Sequence, residues 1–277
     1  SRAVARARVN VHDPAVMPAK RILPLRCATL VTLLVAAVGG WALARGQLVF
    51  SGQATDDGEF FFARMQYGDA RGRLGRWGRG AWLTDWPEAE THLLQGLDRL
   101  TRVDTGAQGI AVGLADDELM KYPWLYAVEV GRWYLEDAEA ARLREYLLRG
   151  GFLMVDDFWG TYQWAVFVES MSRVFPDRPI VDLEDDHELL HVLYDLDQRI
   201  QIPGRSYFYS GVTWQEDGYV PYWRGILDDD GRVMVAINFN MDMGDAWEHA
   251  DDPYYPEPMT ALAYRFAVNY LIYAMTH

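Results

Sequence analysis

Five short apolar runs recur along this chain: "FFFARMQYG" (60–68), "GIAVGLA" (109–115), "WLYAVEV" (124–130), "FLMVDDF" (152–158) and "PIVDL" (179–183). Each is apolar on both faces and shorter than a typical helix, the pattern of strands covered from two sides. Between them lie amphipathic stretches. "WPEAETHLLQGLDRLTR" (86–102) turns Leu93, Leu97 and Leu100 to one side, and "DAEAARLREYLLRGG" (137–151) turns Ala140, Leu143 and Leu147 inward before a glycine stop. "YQWAVFVESMSRVF" (162–175) is a third helix, stopped by Pro176. Strands alternating with helices predict an α/β fold: a mostly parallel sheet between two helical layers. The tail changes character. "YWRGILDDDGRVMVAINFN" (222–240) predicts a hairpin turning at Asp230-Gly231, and residues 257–277 a long last helix. With no internal repeat and no long linker, residues 58–277 form one predicted domain.

The first 44 residues are of another kind. They hold six basic residues and one acid, out of 26 basic and 40 acidic in the chain, so the remaining 233 residues carry 20 basic and 39 acidic side chains. So acidic a body repels a phosphate backbone, which argues against nucleic acid as a partner. Lys20, Arg21 and Arg26 precede an uncharged run from Cys27 to Ala44, and "ALA" at 42–44 fits a cleavage site. The expectation is export, with the body in the periplasm or on the outer face of the cytoplasmic membrane. Residues 27–44 are then either a cleaved signal peptide or a retained transmembrane tether.

Chemistry-bearing residues concentrate where strands end. "RGGFLMVDDFWG" (149–160) places Asp156 and Asp157 at the carboxyl end of a buried strand, where ligands sit in open α/β sheets, with Trp159 beside them. Arg64 lies inside the first strand and needs an acidic partner there, for which Asp85 and Asp156 are the candidates. The stretch "NFNMDMGDAWEHADDPYYPEP" (238–258) reads as a long polar-aromatic loop, offering Asn238, Asp242, Asp245, Trp247 and Tyr254 to a pocket. Acidic and aromatic side chains together suit a glycan, whose faces stack on rings and whose hydroxyls bond to carboxylates.

"HELLH" (187–191) matches H-E-x-x-H. On an α-helix that spacing makes His187 and His191 zinc ligands and Glu188 a general base. Third-ligand candidates are Asp195, Glu216 and His249. The milder alternative sets His187 at the start of a short helix, facing Asp156 or Asp157 as an ion-pair partner.

The segments "FFFARMQYG", "DWPEAE", "YPWLYAVE", "LREYLLRGGFLMVDDFWG", "MSRVFPDR" and "AVNYLIYAMTH" together resemble the bacterial domain of unknown function 4159, over nearly all of 60–277. The resemblance implies a flavodoxin-like, class I glutamine amidotransferase-like three-layer fold, often attached to membranes in the cell envelope. It implies no reaction. Amidotransferases of that fold use a cysteine on a strand-to-helix elbow, and the body of this chain has none, since Cys27 is the only cysteine. The reading is therefore a non-thiol, envelope-located ligand-binding or accessory domain. Its candidate site comprises Arg64, Asp85, Asp156, Asp157, Trp159, His187, Asn238, Asp242 and Trp247, for a small molecule, a glycan or an envelope protein. The alternatives are a zinc hydrolase and a glycan-cleaving enzyme.

Overall fold

In the parallel strands, side chains alternate between two separate apolar cores, and this alternation sets the layering. The computed structural model describes residues 58–69 and 80–277, all within one unit spanning residues 50–277. The expected signal or tether at 27–44 lies outside the described residues. Among those described, no helix is long and apolar enough to cross a membrane.

The main sheet has seven strands in the order β3-β1-β4-β6-β9-β8-β7: β1 (Ala63–Gln66), β3 (Ile110–Gly113), β4 (Trp124–Val128), β6 (Phe152–Asp156), β7 (Val181–Asp182), β8 (Tyr222–Leu227) and β9 (Val233–Phe239). From β3 to β9 every pairing is parallel, and β8 runs antiparallel to both its neighbours. "PIVDL" thus becomes an edge strand of two residues on the hairpin, instead of an inner parallel strand. A separate ribbon pairs β2 (Gly68–Asp69) with β5 (Trp133–Tyr134).

The helices are α1 (Glu88–Leu100), α2 (Asp137–Leu148), α3 (Gly160–Val174), α4 (Tyr207–Ser210), α5 (Met243–Glu248) and α6 (Glu257–Thr276). Trp124, Tyr126, Phe152 and Met154 pack under α1, α5 and α6. Their neighbours in sequence, Leu125, Ala127, Leu153 and Val155, pack under α2 and α3 on the opposite face. Period-two alternation in strands apolar on both faces therefore produces three layers. In α1 the buried stripe is Leu93, Leu94 and Leu97, whereas Leu100, expected inward, is 49% exposed where the helix ends.

Strand order reverses at β1, since the chain leaves β1 for β3 on one side and returns to β4 on the other. Loops after these two strands part, and a crevice opens above the carboxyl ends. One wall of it is held by Arg64. This side chain, fully buried in β1, pairs with Glu90 of α1, and its guanidinium donates to the carbonyls of Trp82, at 3.1 Å, and of Thr84. The expected partners Asp85 and Asp156 do not take this role. Glu90 reaches Arg64 because α1 packs directly over β1, and Arg64 fastens the segment that leads into Asp85.

Glu90→Ala would strand a charge that water cannot reach, a loss expected to cost ~3–5 kcal/mol of stability. Urea denaturation of the variant measures it. A cost below ~1 kcal/mol would mean that solvent reaches the guanidinium.

Candidate functional site

Among the described residues, five other than glycine hold a positive φ: Asp85 (63°), Glu129 (55°), Asp157 (49°), Glu216 (51°) and Asn240 (62°). That conformation costs an L-residue energy and persists only where surrounding contacts impose it, most often at functional sites. The first four of these residues line a single cavity of about 730 Å³, and the fifth supports its wall. Glu129 directly follows β4 and Asp157 directly follows β6, while Asp85 comes from the long connection after β1. Asp242 caps α5, accepting from the amide of Asp245 at 2.7 Å, so the turn after β9 presents both acids. The cavity thus stands over the carboxyl ends of β1, β4, β6 and β9, at the reversal of strand order.

Asp156 sits one layer below. It is fully buried, and its Oδ2 accepts from the amides of Met243 and Gly244 at 2.6 and 3.1 Å and from the Tyr126 hydroxyl at 3.3 Å. It therefore fixes the first turn of α5, the helix that carries Asp245, and does not reach the cavity. Trp159 is on the wall, 2% exposed, with its indole N–H donating to Asp157 Oδ1 at 2.7 Å. It orients Asp157 and leaves no open ring face for stacking. Behind it, the Asn240 side-chain oxygen accepts from the Gly160 amide at 2.8 Å, and Asp217 accepts from the Thr161 amide at 2.7 Å. The first turn of α3 is thereby capped by the protein's own side chains.

Crowded, buried acids hold on to protons. Burial, reinforced by Asp157, pushes Asp156 up to about 8. Burial and then Asp245 push Asp157 up to about 6 and Glu248 up to about 7. Asp85 and Asp242 are raised well above the ordinary carboxylate range by burial, with Asp157 and Asp245 adding like-charge repulsion to both. Carboxylate oxygens of Asp85, Asp242 and Asp245 lie within 4.8 Å of one another, close enough to share a cation, and Asp245, Glu248 and His249 form a second such group.

Several sequence candidates fall outside the cavity. Asn238 is fully buried, donating to the Val155 carbonyl at 3.3 Å and accepting from Tyr270 at 2.9 Å, so it ties the sheet to α6. Trp247 is fully buried among Phe62 and Tyr126, as core. Tyr254 is 82% exposed. His187 neither lines the cavity nor faces the two aspartates: it caps a 3-10 turn at Glu188–Leu190, with Nδ1 accepting from the Leu189 amide at 3.1 Å. "HELLH" is thus a 3-10 turn and not the α-helix that would align two imidazoles. His191 is occupied by Asp195 at 3.0 Å and the Asp185 carbonyl at 2.7 Å, and Glu188 faces His277 at 3.3 Å. Neither His187 nor His191 belongs to a cluster of three metal-ligating groups among the described residues.

A family model described as Domain of unknown function (DUF4159) matches residues 61–275. The chain belongs to this family. No curated protein matches it. Other cavity residues of this DUF4159 domain are Arg132, Gln163, Arg205 and Gln215. Glu129 carried a signal in the sequence, as a charge closing an otherwise apolar strand. Arg205 and Gln215 carried none, because the stretch from 201 to 220 has neither period, and Glu216 was read only as a third zinc ligand.

The raised carboxyl groups give stability a direction with pH. The folded chain keeps a proton on Asp156 up to about pH 8, while the unfolded chain releases it near the ordinary value of 3.8. The contribution is therefore full below the lower value and lost as pH rises through the upper one. In chelated buffer, Tm should fall from pH 5 to pH 8. Asp156→Asn should flatten that fall and be stabilising at pH 8. Parallel slopes for wild type and variant would refute the assignment.

Proposed function

We propose that this DUF4159 domain is an exported, non-thiol ligand-binding domain of the cell envelope, and that its site is the acid-lined cavity above the strand carboxyl ends. The carrying observation is the convergence of Asp85, Asp157, Asp242 and Asp245 on one cavity whose lining backbone is held in a costly conformation. Counted in chain order, the five strands from β3 to β9 run 2-1-3-4-5. That order supports the flavodoxin-type, class I glutamine amidotransferase-like reading of the fold, in which ligands bind at the point of reversal. Export is supported by the basic and apolar pattern of residues 20–44.

Acids dominate the wall, so the ligand is a small molecule bearing hydrogen-bond donors or positive charge. A glycan is the second reading. Trp214 and Tyr219, 42% and 62% exposed, pack against each other at 5.6 Å beside Gln215 and Glu216 of the cavity wall, offering rings that Trp159 does not.

A thermal-shift screen of amino sugars, neutral saccharides and diamines should yield ligands that raise Tm in the wild type and not in Asp157→Asn. Loss of a saccharide response in Trp214→Ala would favour the glycan. A screen without hits, or shifts unchanged in Asp157→Asn, would overturn the proposal.

A further inference from the structure

Resting on that reading and naming part of what the cavity holds, we infer that Asp85, Asp242 and Asp245 form a binding site for an oxygen-seeking divalent cation, of the calcium or magnesium class. The three carboxylates come from two separate segments, yet their oxygens lie within 4.8 Å of one another. The independent observation is an unpartnered oxygen. Asp245 is 5% exposed, with Oδ2 taken by the Arg205 amide, and its Oδ1 accepts no hydrogen bond. Asp85 repeats the pattern, since its Oδ2 is buried and accepts none. A buried carboxylate oxygen without a donor is costly unless a proton or a cation satisfies it.

Local packing keeps these oxygens together. A Cβ placed on Gly244 would come within 2.4 Å of Asp85 Oδ2 and 3.5 Å of Asp242 Oδ1, so the glycine lets Asp85 lie against the first turn of α5. Below the group, Arg64 is ion-paired with Glu90, and its charge only partly offsets that of Asp85. Of the two arginines on the cavity wall, Arg205 is shared between Asp245 and Glu248, and Arg132 acts on Asp157. All three donors are carboxylate oxygens, the set that suits hard cations over zinc or copper. The cavity supplies an access path and room for the water molecules that would complete the coordination.

The second group shares Asp245 but leads elsewhere. Its His249 does not line the cavity, packs against Phe208 at 5.0 Å, and stands 3.7 Å from Asp245 Oδ1, outside hydrogen-bond distance. The cation is therefore assigned to the all-oxygen group.

The test is calorimetric titration of the chelator-stripped full chain with CaCl2 and, separately, MgCl2, with no organic ligand present. The expected result is one saturable site for at least one of the two ions. Loss of a ligand should weaken binding at least as much as loss of an outer-shell partner does, by about tenfold or more, in both Asp85→Asn and Asp242→Asn. Asparagine suits both positions, tolerating the positive φ of residue 85 and capping a helix at residue 242. His249→Gln and the His187→Ala, His191→Ala double variant should bind as the wild type does. Should the aspartate variants fail to fold, cation-dependent protection of the Asp85 and Asp245 carboxyls from carbodiimide labelling in the wild type, read by peptide mass spectrometry, decides the matter. No saturable binding at millimolar cation, undiminished binding in Asp85→Asn, loss in His249→Gln, or labelling indifferent to cation would each overturn the site. Organic ligands that still raise Tm in chelated buffer would leave the binding reading standing while the cation site falls.

Discussion

A guanidinium sealed inside the sheet is the constraint from which the rest of this structure follows. Arg64 cannot sit in β1 without an anion, and α1 supplies one in Glu90. The pair fixes how α1 lies on the sheet. One terminal nitrogen of the guanidinium donates to the carbonyls of Trp82 and Thr84, which fastens the chain immediately before Asp85. A buried ion pair is a poor source of net stability, because desolvation consumes most of the attraction. Its effect here is positional, in that a segment with little regular structure of its own is set beside α5.

On that frame the domain tolerates an unfavourable concentration of negative charge. Four aspartates converge where the strand order reverses, and two of them, Asp85 and Asp157, are held in backbone conformations that side chains avoid. Neither feature helps folding. Asp156, which braces α5 from below, and Trp159, which orients Asp157, belong to the same arrangement at one remove. A scaffold that keeps such a group does so with the rigid core on either side of the sheet, where strand residues from Trp124 to Val128 and from Phe152 to Val155 are almost without solvent contact.

The layered fold was legible because strands buried on both faces and helices with one apolar stripe leave different periods in the sequence. The hairpin and the last helix were legible for the same reason. Two things were not. "PIVDL" has the composition of an inner strand, and only its pairing, antiparallel beside β8, makes it an edge. The site was half legible. Asp156, Asp157 and Asp242 announce themselves as acids closing or following buried strands, and Asp85 only as a partner for Arg64, but which of two adjacent aspartates faces a cavity depends on pleat and turn, which composition does not carry. His187, Trp247 and Asn238 were misplaced because a motif, an aromatic and an amide look alike in sequence whether they face a ligand or the core. Arg205, Gln215 and Glu216 reach the cavity from an aperiodic stretch, and only three-dimensional closure brings them there.

The capping of α3 carries one more consequence. In sheets of this kind, the first turn of the helix that follows a central strand is a ready seat for phosphate or carboxylate, because its amides point outward at the positive end of the helix dipole. Here Asn240 and Asp217 already occupy the amides of Gly160 and Thr161. An incoming anion would find that seat taken, and would also meet the field of the neighbouring acids. A phosphate group would thus lose, at this helix, both the free amides and the positive end that usually hold it.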